Sequence, residues 1–218
     1  MNVEPGAADG RLPKSEARLI SLSAAIASGN PAHIAEQSEC AIQEGASPAA
    51  VYETLIQSYL FLGFPRAIEA LFAAKPVLER HGGIRAAVGG TPPADPASWM
   101  RSGESLCRRV YGKNYAKLVE TMRGLSPDLA SWMIQEGYGK TLSRPGLDAT
   151  EREYCVVAVL ATTRMWRQLR SHAIGAVNVG GTRARVRETI QICEPYAGSE
   201  TVAEALRVVG MEHQDARG

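Results

Sequence analysis

Residues 41–54 read AIQEGASPAAVYET, and residues 176–189 read AVNVGGTRARVRET. Sliding the chain by 135 positions lays one over the other without a gap. Ala41, Gly45, Val51, Glu53 and Thr54 fall on Ala176, Gly180, Val186, Glu188 and Thr189. The same offset carries Leu12 and Glu16 onto Leu147 and Glu151, Gly63 onto Gly198, and the run Glu69-Ala70-Leu71 onto Glu204-Ala205-Leu206. Self-similarity at one fixed offset is the mark of a repeated structural unit, so the chain reads as two copies of one fold.

Each copy reads as helices. Leu19, Leu22 and Ile26, then Leu55, Ile56, Tyr59 and Leu60, recur at helical spacing. Ser47-Pro48 offers an N-cap followed by proline at the first helical position, and Thr182 holds the equivalent place in the second copy. Gly45 and Gly180 stand where the preceding helices should stop. Gly63-Phe64-Pro65 should end the third helix and start a fourth, whereas the second copy has Ser199-Glu200 after Gly198. No strand pattern competes. The expectation is an all-α protein of two pseudo-symmetric repeats joined by a helical insert. Its parts are a flexible N-terminus over 1–11, a first repeat over 12–80, a Gly/Pro-rich linker over 81–96, the insert over 97–146, a second repeat over 147–210 and a tail over 211–218. Within the insert, helical stretches are expected over 97–111, 114–123 and 127–140.

Composition narrows the function. The 218 residues are 45% apolar and 22% charged, a globular balance, and the 6% aromatic content favours closely packed helices. Lys and Arg number 24 against 23 Asp and Glu, which leaves no overall field to hold nucleic acid or an anionic membrane. No apolar run reaches the roughly 18 residues of a membrane span, and the first residues do not read as a signal peptide, so a cytoplasmic location is expected. Cys40, Cys107, Cys155 and Cys193 stand alone without CxxC or zinc spacing, and read as buried small hydrophobes.

The stretch Tyr138-Gly139-Lys140, then Ser143-Arg144-Pro145-Gly146-Leu147, Glu151-Arg152-Glu153, and Arg167-Gln168-Leu169-Arg170-Ser171-His172 with Gly180, resembles the carboxymuconolactone decarboxylase family. So do Ala41, Glu44-Gly45-Ala46-Ser47, Glu53 and Gly63-Phe64-Pro65 in the first half. The resemblance implies an all-α fold of the alkylhydroperoxidase D type. Peroxidase members of that group carry a CxxC, a following His and a preceding Glu. Here the Glu and His positions are Glu153 and His172, while Met165 and Gln168 stand at the cysteine positions. In the first half, Asn30 and His33 stand at the cysteine positions, Gln37 at the His position and Arg18 at the Glu position. A thioether and an amide form neither thiolate nor disulfide, so the resemblance points to the decarboxylase branch and to catabolism of aromatic compounds.

The candidate site follows from these matches. Gln168 and His172 lie four apart, on one helix face. His172 is the expected general acid, since an imidazole gives or takes a proton near neutrality. Glu153 is expected to orient it or relay protons, although Thr150-Glu151-Arg152-Glu153 also fits a T-x-x-E capping box. Gln168 would meet a lactone carbonyl, and Arg144 a substrate carboxylate. Arg167 belongs with Arg144, Arg164 and Arg170 to a basic cluster that serves either an anionic substrate or a solvated face. Trp132 and Tyr138 are pocket lining or core. His33 is expected to be structural. No metal or organic cofactor is expected, and the expected partner is a small anionic substrate. The resemblance also implies a homo-oligomer, most simply a trimer. An alkylhydroperoxidase-like oxidoreductase using a displaced thiol such as Cys155, and a non-catalytic binding or assembly protein, stay open as alternatives.

Overall fold

The computed structural model describes residues 10–84 and 95–210, helical throughout with no strand among them. Nearly all of the expected N-terminus, most of the linker and the whole tail over 211–218 lie outside the described residues. The first repeat is α1 (Lys14–Ser28), α2 (Pro31–Gln43), α3 (Pro48–Gln57) and α4 (Tyr59–Arg80). The insert is α5 (Pro96–Tyr111), a 3-10 turn (Gly112–Asn114), α6 (Tyr115–Leu125), α7 (Pro127–Trp132) and a π-helical segment (Met133–Thr141). The second repeat is α8 (Ala149–Thr162), α9 (Trp166–Asn178), α10 (Arg183–Ile192), α11 (Glu194–Ala197) and α12 (Ser199–Val208). The offset of 135 carries both ends of α2 onto those of α9, and both ends of α3 onto those of α10.

Local chemistry sets these boundaries. Ser47 Oγ accepts from the Ala50 N–H at 3.1 Å, and Thr182 Oγ1 from the Arg185 N–H at 3.2 Å, matched caps on matched helices. Gly45 and Gly180 take φ of 98° and 118° just past α2 and α9, a conformation that a side chain disfavours. The third helix differs from expectation. It stops at Ser58, and the bend at Gly63 (φ 77°, ψ 165°) falls inside α4 instead. Gly198, the twin of Gly63, bends the second repeat with φ 82° and ψ 154°.

The twin helices α1 and α8 pack against each other at the centre of the molecule. Every residue of α8 from Arg152 to Ala161 is buried, as a helix enclosed on all sides requires. Ile20 and Ala24 of α1 join the second repeat's core, while Leu147 and Cys155 join the first repeat's. The repeats therefore share one interior. The insert adds a core of its own around Leu106, Cys107, Val110 and Tyr138. There α5 and the π-helical segment touch backbone to backbone. A side chain on Gly103 would strike the Ile134 carbonyl, and one on Gly139 the Trp99 carbonyl.

Candidate active site

The start of α8 shows that Glu153 does not cap the helix. The capping box lies two residues earlier than the expected T-x-x-E. Asp148 accepts from the N–H groups of Thr150 and Glu151 at 2.7 and 2.8 Å, and Glu151 accepts from the Asp148 N–H at 2.7 Å. Asp148 takes the cap because its short carboxylate reaches two N–H groups at once. Thr150 Oγ1 instead donates to the Val179 carbonyl at 3.1 Å. Glu153, released from capping, lies in the second turn of α8 and faces α9.

There Glu153 Oε2 meets His172 Nδ1 at 2.8 Å, with both residues buried. Gly175, one turn beyond His172, makes room for the pair. A Cβ at that position would lie 2.9 Å from Glu153 Oε2 and 2.7 Å from Val110 Cγ1. Aromatic rings enclose the imidazole. Phe61 of α4 meets it edge-on at 5.8 Å between centroids, and Tyr111, at the end of α5, at 6.4 Å. Tyr138 of the π-helical segment lies buried against Tyr111, with ring centroids 6.2 Å apart. Burial pushes the Tyr111 phenol up to about 12 and that of Tyr138 well above its usual value. Both are therefore hydrogen-bond donors at neutral pH. The contact with Glu153 engages Nδ1, so Nε2 is the imidazole nitrogen that it leaves open.

The first repeat keeps the contact and lacks its chemistry. Arg18 and Gln37, the twins of Glu153 and His172, meet at 3.4 Å through Arg18 Nη1 and Gln37 Oε1. A guanidinium and an amide do not make a carboxylate–imidazole pair. His33 packs edge-on against Tyr196 at 5.8 Å between ring centroids. Tyr196 is itself the twin of Phe61. Each repeat thus lends a ring to the other's α2–α1 or α9–α8 seam.

The remaining predicted residues lie elsewhere. The carboxylate that Arg144 holds in this structure belongs to Glu53. Arg144 donates Nε and Nη2 to it at 2.9–3.1 Å, and Arg152 donates Nη2 at 3.0 Å and reaches Gln57 with Nη1 at 3.1 Å. Gln168 and Arg167 are exposed on α9. Arg167, Arg170 and Ser171 border an open hollow of about 660 Å³. Arg164 reaches Thr201 Oγ1 at 2.9 Å. Trp132 is exposed on α7. Burial pushes the thiols of Cys107, Cys155 and Cys193 up to about 12 each, so none is a ready thiolate. Sequence reasoning missed Tyr111 and Phe61. The ring at position 196 was the available signal for Phe61, since both repeats place an aromatic there.

A second hollow of about 290 Å³ lies between the insert and α9, lined by Val110, Tyr111, Asn114, Lys117, Thr121 and Ser171 among others. Its inner wall, Val110 and Tyr111, is the layer that packs on Glu153, Gly175 and His172.

Fold and site together define a tandem all-α protein of the alkylhydroperoxidase D type, with one buried carboxylate–imidazole pair among the described residues and no cysteine at the positions of the redox motif. The carboxymuconolactone decarboxylase family pattern matches residues 3–76 and again 127–210, and the chain belongs to that family. Over 62% of its length it is 28% identical to peroxisomal protein 2 of Schizosaccharomyces pombe, of which it spans 62%. Over 49% it is 31% identical to nitrosuccinic acid decarboxylase of Metarhizium robertsii, covering 75% of that protein. Over 45% it is 29% identical to 4-carboxymuconolactone decarboxylase of Acinetobacter baylyi, covering 74% of that protein. No described helix is long and apolar enough to cross a membrane.

Proposed function

We propose that the chain is a cofactor-independent lyase that decarboxylates a small carboxylated substrate, with Glu153 and His172 as its proton-handling pair. The buried 2.8 Å contact between them carries the reading. The compounds named by two relatives share a chemistry that suits such a pair. Nitrosuccinic acid and 4-carboxymuconolactone each carry a carboxylate together with an electron-withdrawing group, a nitro group or a lactone carbonyl.

The carbon–carboxylate bond breaks, carbon dioxide leaves, and the electron pair passes into that group, where it becomes negative charge on oxygen. The charge then returns to carbon as a proton is added. The substrate is its own electron sink. The protein's task is to stabilise the developing oxyanion and deliver one proton. His172 delivers it, Glu153 holds the ring and balances the imidazolium formed when the proton is regained, and the phenol of Tyr111, whose ring lies against the imidazole, is the candidate donor to the oxyanion. The rings of Phe61 and Tyr111 exclude water and strengthen these interactions. Gln168 and Arg167, exposed on the same helix, remain candidates for outer contacts. The site acts in the cytoplasm on this reading.

Carbon dioxide release from 4-carboxymuconolactone and from nitrosuccinate tests the proposal. Turnover by the wild type with loss of about 10²–10⁴-fold in His172→Ala is the expected result. Wild-type rates in His172→Ala would overturn the assignment of the pair.

A further inference from the structure

The pair lies buried, and Arg144, the residue expected to hold a carboxylate, is occupied by Glu53. A substrate that keeps a second carboxylate through the reaction needs another cation. The hollow between the insert and α9 offers one. Lys117 is the charged residue in its lining, which contains no carboxylate, and among the described residues Lys117 has no ion-pair partner. It stands in the first turn of α6, where a cation opposes the helix dipole, so helix stability does not explain it. Asn114 immediately precedes α6, and its side chain makes no capping bond. Thr121 and Ser171 add hydroxyl groups. The far wall is Tyr111, whose ring touches His172. The insert packs on the repeat that holds Glu153 and His172, through α5 and α9.

We propose that this hollow is the substrate's anion subsite, with Lys117 as the group that holds the carboxylate retained through the reaction and Asn114 as its neutral partner. The subsite rests on the decarboxylase reading for its position next to the reacting carbon. The insert, rather than either repeat, then determines which acids are accepted. About 290 Å³ suits a compact dicarboxylate.

Succinate serves as the probe, with dimethyl succinate as its uncharged counterpart. The reporter is the δ1 methyl of Ile174, which also lines the hollow, followed by methyl NMR. The expected result is a saturable shift of Ile174 with succinate and none with the diester. Affinity should fall about tenfold or more in Lys117→Met and recover in Lys117→Arg. Lys117 is exposed, so these variants keep the fold, and an unchanged melting temperature verifies it. Equal succinate affinity in Lys117→Met would overturn the proposal. So would shifts confined to Val208 and Val209 beside Arg167, or no shift at all. The two readings fail separately. Binding through Lys117 without turnover of either acid removes the decarboxylase reading and leaves the anion site. Turnover with an unchanged KM in Lys117→Met does the reverse.

Discussion

At the scale of single residues, burial decides what each ionisable group can do. Glu16 is the clearest case outside the site. Burial in α1, together with the nearby carboxylates of Glu151, Asp148 and Glu188 and against the pull of Arg185, raises its pKa from 4.5 to about 7. A raised carboxyl pKa means that the folded state holds the proton more tightly than the unfolded state. Below pH 4.5 both states are protonated and nothing is lost. Stability falls as pH rises from 4.5 to 7, by about 3 kcal/mol, and stays lower above that. Glu16→Gln should therefore melt higher than the wild type at pH 8 and no higher at pH 4.5. Equal melting temperatures at pH 8 would contradict the raised pKa. The same reasoning treats Cys107, Cys155 and Cys193, whereas Cys40, expected to be buried, is only partly so. Thiols pushed up to about 12 do not supply a displaced peroxidase nucleophile, which is consistent with the decarboxylase reading.

At the scale of elements, α3 and α8 are joined by one acid and two guanidiniums. Glu53 accepts from Arg144 and Arg152, with Glu53 and Arg152 each 2% exposed or less. This ties the first repeat to the turn of α8 that carries Glu153. Glu53→Ala leaves two cations facing each other, one fully buried, and should cost about 3–5 kcal/mol. Urea denaturation measures it, and a loss under 1 kcal/mol would show that the cluster is not the tie. Much of this level was legible in the sequence. Helix types, the Ser47 and Thr182 caps, the glycine stops and the repeat offset are local signals, and each reappears in the structure. Two features were not legible. The capping box at Asp148 competed with an equally good T-x-x-E pattern, and the choice depends on where α8 starts in three dimensions. Arg144 sits in a motif that matches the family, but whether it meets a ligand or Glu53, 91 positions away, is a long-range question. Tyr111 went unnoticed for the same reason, since only the packing of the insert brings it to His172.

At the scale of the whole molecule, duplication has let the halves diverge. The second repeat keeps Glu153 and His172, and the first carries Arg18 and Gln37 in the same contact. Their outer faces diverge as well. Phe64, Ile68 and Phe72 form an exposed stripe on α4 whose twins are Ser199, Ala203 and Arg207. The fold does not require that stripe, and a neighbouring copy of the chain would cover it. Light scattering should give a multiple of the 23.4 kDa chain mass, with the trimer that the family resemblance implies as the expected form, and a monomer would contradict it. The central claim is that Glu153 and His172 act as one unit in proton delivery. It is tested most directly by a double-mutant cycle on kcat with His172→Ala, Glu153→Gln and the pair together. The account predicts that the double variant loses no more than His172→Ala alone, because Glu153 acts through the ring. Losses that multiply, or a Glu153→Gln variant as fast as the wild type, would contradict it.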